Sequence, residues 1–347
     1  MEIEAKMEKR VQGSLLRSNI FRPIFTSFLS SQEGGIIFAL IIMCLTIAFI
    51  NPAFVSKYNL TTLILGFSFI SLVAFGETIV LISGEIDLSV GAIAGLSGIG
   101  SAWLMVNSGL SPVLAIVAGL AMGAACGFVN GFLITKIRLS SFIVTLGTME
   151  AFSGLIMVIT KGWAIVRIPE SIFFLGRGQV LGVPIPVVIM TAILIYLSFT
   201  LKSTVFGQRV YLLGGSEIAA RVVGINVEKM KIIIFTLSGI LSASAGVLMV
   251  ARLTSGQPTV GQYWLLPSIA AAVIGGTSLT GGRGRLIGTL AGAAILGVLQ
   301  NAIAILGISP YWERTIIGTV VILAVTVDVI RQRTGYLKMI ERMIKKQ

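Results

Sequence analysis

Ten stretches of the chain are almost unbroken in their apolar character, at about 35–51, 60–82, 90–106, 112–135, 142–160, 184–201, 232–251, 264–281, 286–306 and 313–330. A helix needs about 20 residues to cross ~30 Å of hydrocarbon, so each stretch is close to membrane-spanning length. Lipid offers the backbone no hydrogen-bond partner, and no alternating ten-residue barrel pattern appears, so helix is expected throughout. The least regular boundary lies between the second and third stretches. There Gly84-Glu85-Ile86-Asp87-Leu88-Ser89 interrupts the apolar run without offering a true water-soluble loop. A discontinuous helix near 84–89 is therefore expected. One long polar interval stands apart, from Gly214 to Ile225, inside a connector covering 202–231. The pattern predicts an all-α polytopic membrane protein with an interfacial segment at 1–34, a transmembrane domain at 35–330 and a basic tail at 331–347.

Composition sharpens this picture. Hydrophobic residues fill 55% of 347 positions and charged residues only 12%, and the mean hydropathy is +0.98. Soluble domains carry roughly twice that share of charge. The 40 glycines fit helices that approach closely in lipid. With the N-terminus inside, all but six of the 26 basic residues fall on the inner side, the exceptions being Lys57, Lys161, Arg167, Arg177, Arg252 and Arg314. That asymmetry predicts about ten spans with both termini cytoplasmic, and it makes the net charge of +12 a topology signal. The basic residues are dispersed and lack an aromatic-studded module, which argues against nucleic acid.

Smaller features follow. Cys44 and Cys126 fall within apolar stretches and read as small packing residues. No cleavable signal peptide is expected, since the polar N-terminal tract is long and no small-residue cleavage site follows the first span. That tract, with Leu15, Leu16, Ile20, Phe21, Ile24, Phe25 and Phe28 among basic residues, suits an interfacial amphipathic helix, as does the basic tail. Asn59-Leu60-Thr61 matches a glycosylation sequon, but beside a span start it reads as a helix cap.

Enzymatic chemistry finds little support. Histidine is absent, which removes the commonest general base and metal ligand. There is no phosphate-binding Gly-x-x-x-x-Gly-Lys-[Ser/Thr] loop; Gly281-Gly282-Arg283-Gly284-Arg285 lacks the lysine–hydroxyl ending. No nucleophile elbow is placed on a strand. No metal and no cofactor are expected, and any ATP-driven work must be done by another subunit. The informative charges are those inside apolar sequence: Glu77, Glu85, Asp87 and Glu150. A charge facing lipid at mid-depth costs at least ~2.5–3.5 kcal/mol, so these should face protein, water or a cavity. Two readings stay open for Glu85 and Asp87: they line a path with Ser89, or they cap the third span at the water boundary. For Glu150 the choice is between the pathway and an interhelical hydrogen bond.

Several motifs then converge. Gly84-Glu85-Ile86-Asp87-Leu88-Ser89-Val90-Gly91, Thr145-Leu146-Gly147-Thr148, the stretch Gly214 to Lys231, Arg252-Leu253 through Gln257-Pro258-Thr259, and Ala270 to Gly284 occur in this order. Over about residues 35–330 the chain resembles the permease subunits of ribose- and simple-sugar-type ABC importers. It departs from that pattern in the fifth span, where Ser153 rather than an arginine precedes Gly154.

The resemblance implies a division of labour. An extracytoplasmic binding protein captures the sugar, two permease subunits (a homo- or heterodimer) form the pathway in a prokaryotic cell membrane, and cytoplasmic ATPase subunits drive it. Glu217-x-Ala219-Ala220-x-x-x-Gly224 matches a form of the short motif through which such permeases engage their ATPases. The residue types suit such an engagement, since Glu217, Ala219 and Ala220 favour helix, the alanines leave a small surface, and Gly224 permits a turn. Arg221, Lys229 and Lys231 would hold the element at the headgroup layer. A neutral polyol calls for hydroxyl partners and aromatic faces, for which Gln257, Gln262, Tyr263 and Trp264 are candidates, with Gln300 and Asn301 in the ninth span. The segment from Lys161 to Leu181, with Trp163, Arg167, Glu170 and Arg177, is the expected contact for the binding protein.

Two other classes compete. An ion-coupled secondary transporter would recruit Glu77, Glu85, Asp87 and Glu150, and a channel would need no motor; neither accounts for the Glu217–Gly224 element. A short internal echo links Asp87-Leu88-Ser89-Val90-Gly91 with Ser278-Leu279-Thr280-Gly281-Gly282.

Overall fold

A computed structural model describes residues 32–326, apart from 310 and 324. The amphipathic N-terminal tract and the basic tail expected from the sequence lie outside the described residues.

Helices occupy the apolar stretches in turn. They are α1 (Gln32–Ile50), α2 (Lys57–Ile82), α3 (Val90–Val106), α4 (Pro112–Lys136), α5 (Ser141–Thr160), the short α6 (Phe173–Arg177), α7 (Ile185–Ser203), α8 (Val205–Gly215), α9 (Glu217–Val222), α10 (Val227–Leu253), α11 (Leu265–Ile274) and α12 (Leu286–Ile305). Residues 312–323 are helical as well. Six of these helices, α2, α4, α5, α7, α10 and α12, are long and apolar enough to cross a membrane. A hairpin of β1 (Gln179–Val180) and β2 (Val183–Pro184) follows α6.

Local chemistry sets the ends. Ser56 caps α2 by accepting from the Asn59 N–H, so the expectation that Asn59 is itself the cap is corrected. The Asn59 side chain turns inward instead, donating to the Phe54 carbonyl (2.9 Å) and exchanging two amide bonds with Asn301 of α12 (3.0 and 2.7 Å). A half-buried polar pair between helices satisfies itself better than a cap left in water. The eighth apolar stretch also differs from its expected 264–281. Its helix α11 stops at Ile274, because Gly275, Gly276, Gly281 and Gly282 disfavour helix, the last three at positive φ.

α2 and α10 form the centre. Every residue of α2 from Ser68 to Ile82 is buried. Alongside, α4 presents Gly119, Gly123, Gly127 and Gly131, one per turn, to α10. A Cβ at Gly127 would lie 2.2 Å from the Phe235 carbonyl oxygen, and one at Gly123 would lie 2.5 Å from that of Gly239. The stripe therefore brings two backbones together at a separation no larger residue permits.

The stretch between α10 and α11 lies within the bundle without being helix. After α10, Gly256 pairs with Ile165 through a backbone bridge and lies beside Ala102, near the C-terminal end of α3. The chain then runs without helix along α3 until Gly261 meets Gly91, at the N-terminal end of α3. There α11 begins. The N-termini of α3 and α11 thus meet inside the bundle, and each glycine occupies space that a Cβ on the other would fill, 2.3 and 2.1 Å from a carbonyl oxygen.

Candidate functional site

The polar interval becomes a compact charged element at one end of the bundle. Ser216 caps α9, its hydroxyl accepting from the Ala219 N–H at 3.2 Å, and Glu217 in the first turn opposes the helix dipole favourably. Gly224 closes the helix at φ 82°, with its N–H on the Arg221 carbonyl and that of Ile225 on the Ala220 carbonyl, both 3.0 Å. Ala220 is buried, whereas Ile218, Val222 and Val223 are exposed by 77%, 81% and 67%.

Lys231, expected to hold the element at the headgroup layer, turns its ammonium onto two carboxylates. Only 12% of its side chain is exposed, and its ammonium bridges Glu85 at 2.6 Å and Glu217 at 2.8 Å. Arg221 adds a second partner to Glu217 at 2.9 Å. The Glu217 carboxyl is held below the ordinary glutamate value, first by the hydrogen bond from Lys231 and then by that from Arg221. A polar cleft of about 670 Å³ opens here, bounded by Glu85, Arg138, Glu217, Arg221, Glu228 and Lys231 among others.

Backbone contacts fasten the same end. A Cβ at Gly214 would lie 1.7 Å from the Ile82 carbonyl oxygen, and one at Gly281 would lie 2.6 Å from that of Gly214 and 2.9 Å from the Gly84 Cα. The Gly282 N–H donates to that Ile82 oxygen at 2.8 Å, and the Tyr211 hydroxyl to the Gly284 carbonyl at 2.8 Å. The junction of α8 and α9 is therefore wedged between the 83–89 loop and the 275–285 loop. Of the two segments that echo each other, the later one is held there through Gly281 and Gly282, whereas Gly91 of the earlier one meets Gly261.

Behind this junction the 83–89 loop turns into the core. Asp87 is fully buried; one carboxylate oxygen accepts from the Ser89 N–H (3.0 Å) and hydroxyl (2.6 Å), the other from Ser238 of α10 (3.4 Å). Asn130 of α4 donates to the Ser89 hydroxyl at 2.8 Å, and the Asp87 N–H reaches Glu77 at 3.4 Å. Asp87 thus organises the start of α3 from inside protein, away from a water boundary. Glu77 Oε2, Asn130 Oδ1 and Ser242 Oγ have no hydrogen-bond partner among the described residues. Neither Asn130 nor Ser238 was singled out by sequence. The available signal was a lone asparagine in the glycine stripe of an apolar helix.

The remaining candidates are scattered. Glu150 is exposed halfway along α5, flanked one turn away by Gly147 and Gly154, which face open space. Gln300 donates to Glu313 at 2.9 Å and Asn301 pairs with Asn59. The Arg314 guanidinium lies 3.9 Å from the centre of the Tyr263 ring. Trp264 packs on the core, Gln262 is exposed, and Gln257 donates to the Ser255 hydroxyl at 2.9 Å.

At the opposite end, Arg177 donates to the Arg252 carbonyl at 3.0 Å, and Trp163 and Arg167 border a hollow of about 400 Å³ with Trp103. Trp163 is 79% exposed, and Leu181, at the hairpin tip with φ 52°, is fully exposed.

A bundle of apolar helices with interrupted segments, a capped charged element at one end and buried carboxylates at its core is that of a transport permease. The chain belongs to the family described as "Branched-chain amino acid transport system / permease component", which it matches over residues 59–325. It is 43% identical over 299 residues to the ribose import permease protein of Bacillus subtilis (strain 168), covering 86% of this chain and 92% of that protein. The ribose import permease protein of Escherichia coli (strain K12) is 40% identical over 311 residues, 88% of this chain and 96% of that one. The L-arabinose transport system permease protein of the same strain is 38% identical over 302 residues, 87% and 92%. The chain is accordingly a multi-pass permease component of the plasma membrane, a transport subunit and not a catalyst.

Proposed function

We propose that the chain is the membrane-spanning subunit of an ATP-driven importer, carrying a ribose-like sugar delivered by an extracytoplasmic binding protein and working as a homo- or heterodimer. The relatives are named for ribose and L-arabinose, and that favours a neutral polyol. In this reading about ten spans cross a prokaryotic membrane with both termini cytoplasmic, 35–330 is the transport domain, and 202–231 faces the cytoplasm.

The observation that carries the reading is α9. A six-residue helix, capped at both ends and showing Ile218, Val222 and Val223 to solvent, is a projection built to seat in a groove of another protein. That protein is the ATPase, and Glu217, Ala219, Ala220, Arg221 and Gly224 are the coupling element. Glu150 would face the pathway, since an exposed carboxylate at mid-helix is too costly against lipid. Glu85, Asp87 and Ser89 then belong to the gate, with Gln300 and Asn301 beside the path. Trp163 and Arg167, together with the exposed Leu181, would meet the binding protein, and Gln257, Gln262, Tyr263 and Trp264 are the candidates for sugar near the outer mouth.

The test is Glu217→Arg in the complex with its ATPase and binding protein, in vesicles loaded with ATP. Placing a third cation beside Arg221 and Lys231 should lower D-ribose uptake by about a hundredfold and weaken ATPase capture. Uptake and capture equal to the unaltered complex would refute the coupling role. Accumulation of sugar by the permease alone would refute the whole reading.

A further inference from the structure

We propose that Lys231 is a positioning residue that ties the coupling element to the buried 83–89 loop, so that displacement of α9 moves the start of α3. The inference rests on the coupling reading above and names the residue that transmits it. Three observations converge on it. The Lys231 ammonium holds Glu217 of α9 at 2.8 Å and Glu85 of the loop at 2.6 Å, from the second turn of α10. It is the described residue that forms ion pairs with carboxylates of two different segments. Glu85 stands two residues before Asp87, whose carboxylate fixes Ser89 and, through it, the first turn of α3.

The surroundings make this linkage stiff. The side chains of Lys231 and Glu85 are only 12% and 15% exposed, so their attraction is screened less than that of a fully exposed pair. A half-buried ammonium bonded to two carboxylates resists separation from either, since a charge left without its partner in such a place is costly. Beside it, the Gly84–Gly214–Gly281 backbone contact leaves no slack between the α8–α9 junction and the two loops. Gly91 then passes the displacement to Gly261, where α11 begins. A push on α9 therefore reaches the N-termini of α3 and α11 through packed backbone and one ion-paired lysine. The sequence offers no direct sign of this, because a lysine at the start of an apolar helix reads as a headgroup anchor.

Two measurements test it. In the reconstituted complex, Lys231→Met, which keeps the aliphatic stem, should raise ATP hydrolysed per D-ribose imported by about tenfold, and Lys231→Arg should restore most of the ratio. The pair Glu85→Gln with Lys231→Met leaves no carboxylate orphaned in the loop and should match Lys231→Met alone, which separates coupling from misfolding. An unchanged ratio in Lys231→Met would overturn the proposal. The second measurement needs no transport. Spin labels at Val222→Cys on α9 and Phe142→Cys on α5, with Cys44 and Cys126 changed to serine, should show a distance distribution that broadens in Lys231→Met. An unaltered distribution overturns the clamp even if the coupling reading stands. Conversely, loss of ATP-driven uptake in the unaltered complex, with broadening still seen, would sink the coupling reading and leave the clamp intact.

Discussion

The two ends of the bundle are both fastened to the core, but they differ in what they leave exposed. At the α9 end, the element is fastened by Lys231 to two carboxylates and by glycine-to-glycine backbone contact to two core loops. At the hairpin end, the segment before α7 is tied down by the bridge of Ile165 to Gly256, by the Gly176 backbone against Ala251 and Arg252, and by Arg177, while Trp163 and Leu181 project. In the proposed reading the first arrangement transmits displacement and the second presents a surface. Firm backbone coupling suits a handle pushed by a motor, and exposed large side chains suit reversible docking.

The contrast can be broken most severely at Gly214. Gly214→Ala forces a Cβ into the Ile82 carbonyl and should destabilise the folded chain by about 3 kcal/mol, seen as a large drop in thermal unfolding temperature in detergent. Alanine at Gly215, which has open space, is the control and should change little. Next comes Asp87→Ala, which leaves the Ser89 N–H and hydroxyl and the Ser238 hydroxyl without their acceptor. A loss of about 2 kcal/mol is expected, with faster hydrogen exchange at the start of α3. At the other end Leu181→Ser should leave stability untouched. It should raise the binding-protein concentration for half-maximal uptake about fivefold, a cost of ~1 kcal/mol.

The smallest effect concerns pH. The Glu217 carboxyl lies below its ordinary value because Lys231 and Arg221 bond to it. A depressed carboxylate contributes fully above the ordinary value and loses that contribution as the pH falls through the lowered one. The spacing between α9 and α10 should therefore stay constant from neutrality down to about pH 5 and loosen only in stronger acid. Glu217→Gln should abolish that acid step, and its persistence would show that another group is responsible.

Much of this was legible in the sequence. Residues 90–106, 112–135 and 286–306 became α3, α4 and α12 almost to the residue, since the helix is what apolar sequence must form where water is absent. The Gly84–Ser89 interruption and the Glu217–Gly224 element also stood out, because polar residues are rare in such a chain. What failed to show was partnership. Asn59 read as a cap and pairs with Asn301; Lys231 read as a surface anchor and turns inward to Glu85, 146 positions earlier in the chain. Residues 275–281 read as helix, and they fold as a glycine-rich loop against Ile82 and Gly214.

Hydropathy and motif order by themselves determined that this chain lives in a membrane and where most of its helices lie. Those properties are local, since each residue carries its own cost of transfer into lipid. Only the tertiary structure decided that Glu85 and Glu217 share one lysine, that Asp87 fixes α3 from within, and that Gly91 and Gly261 touch. Such contacts join segments far apart in sequence, and their energy depends on distances between backbones that no single stretch of residues encodes.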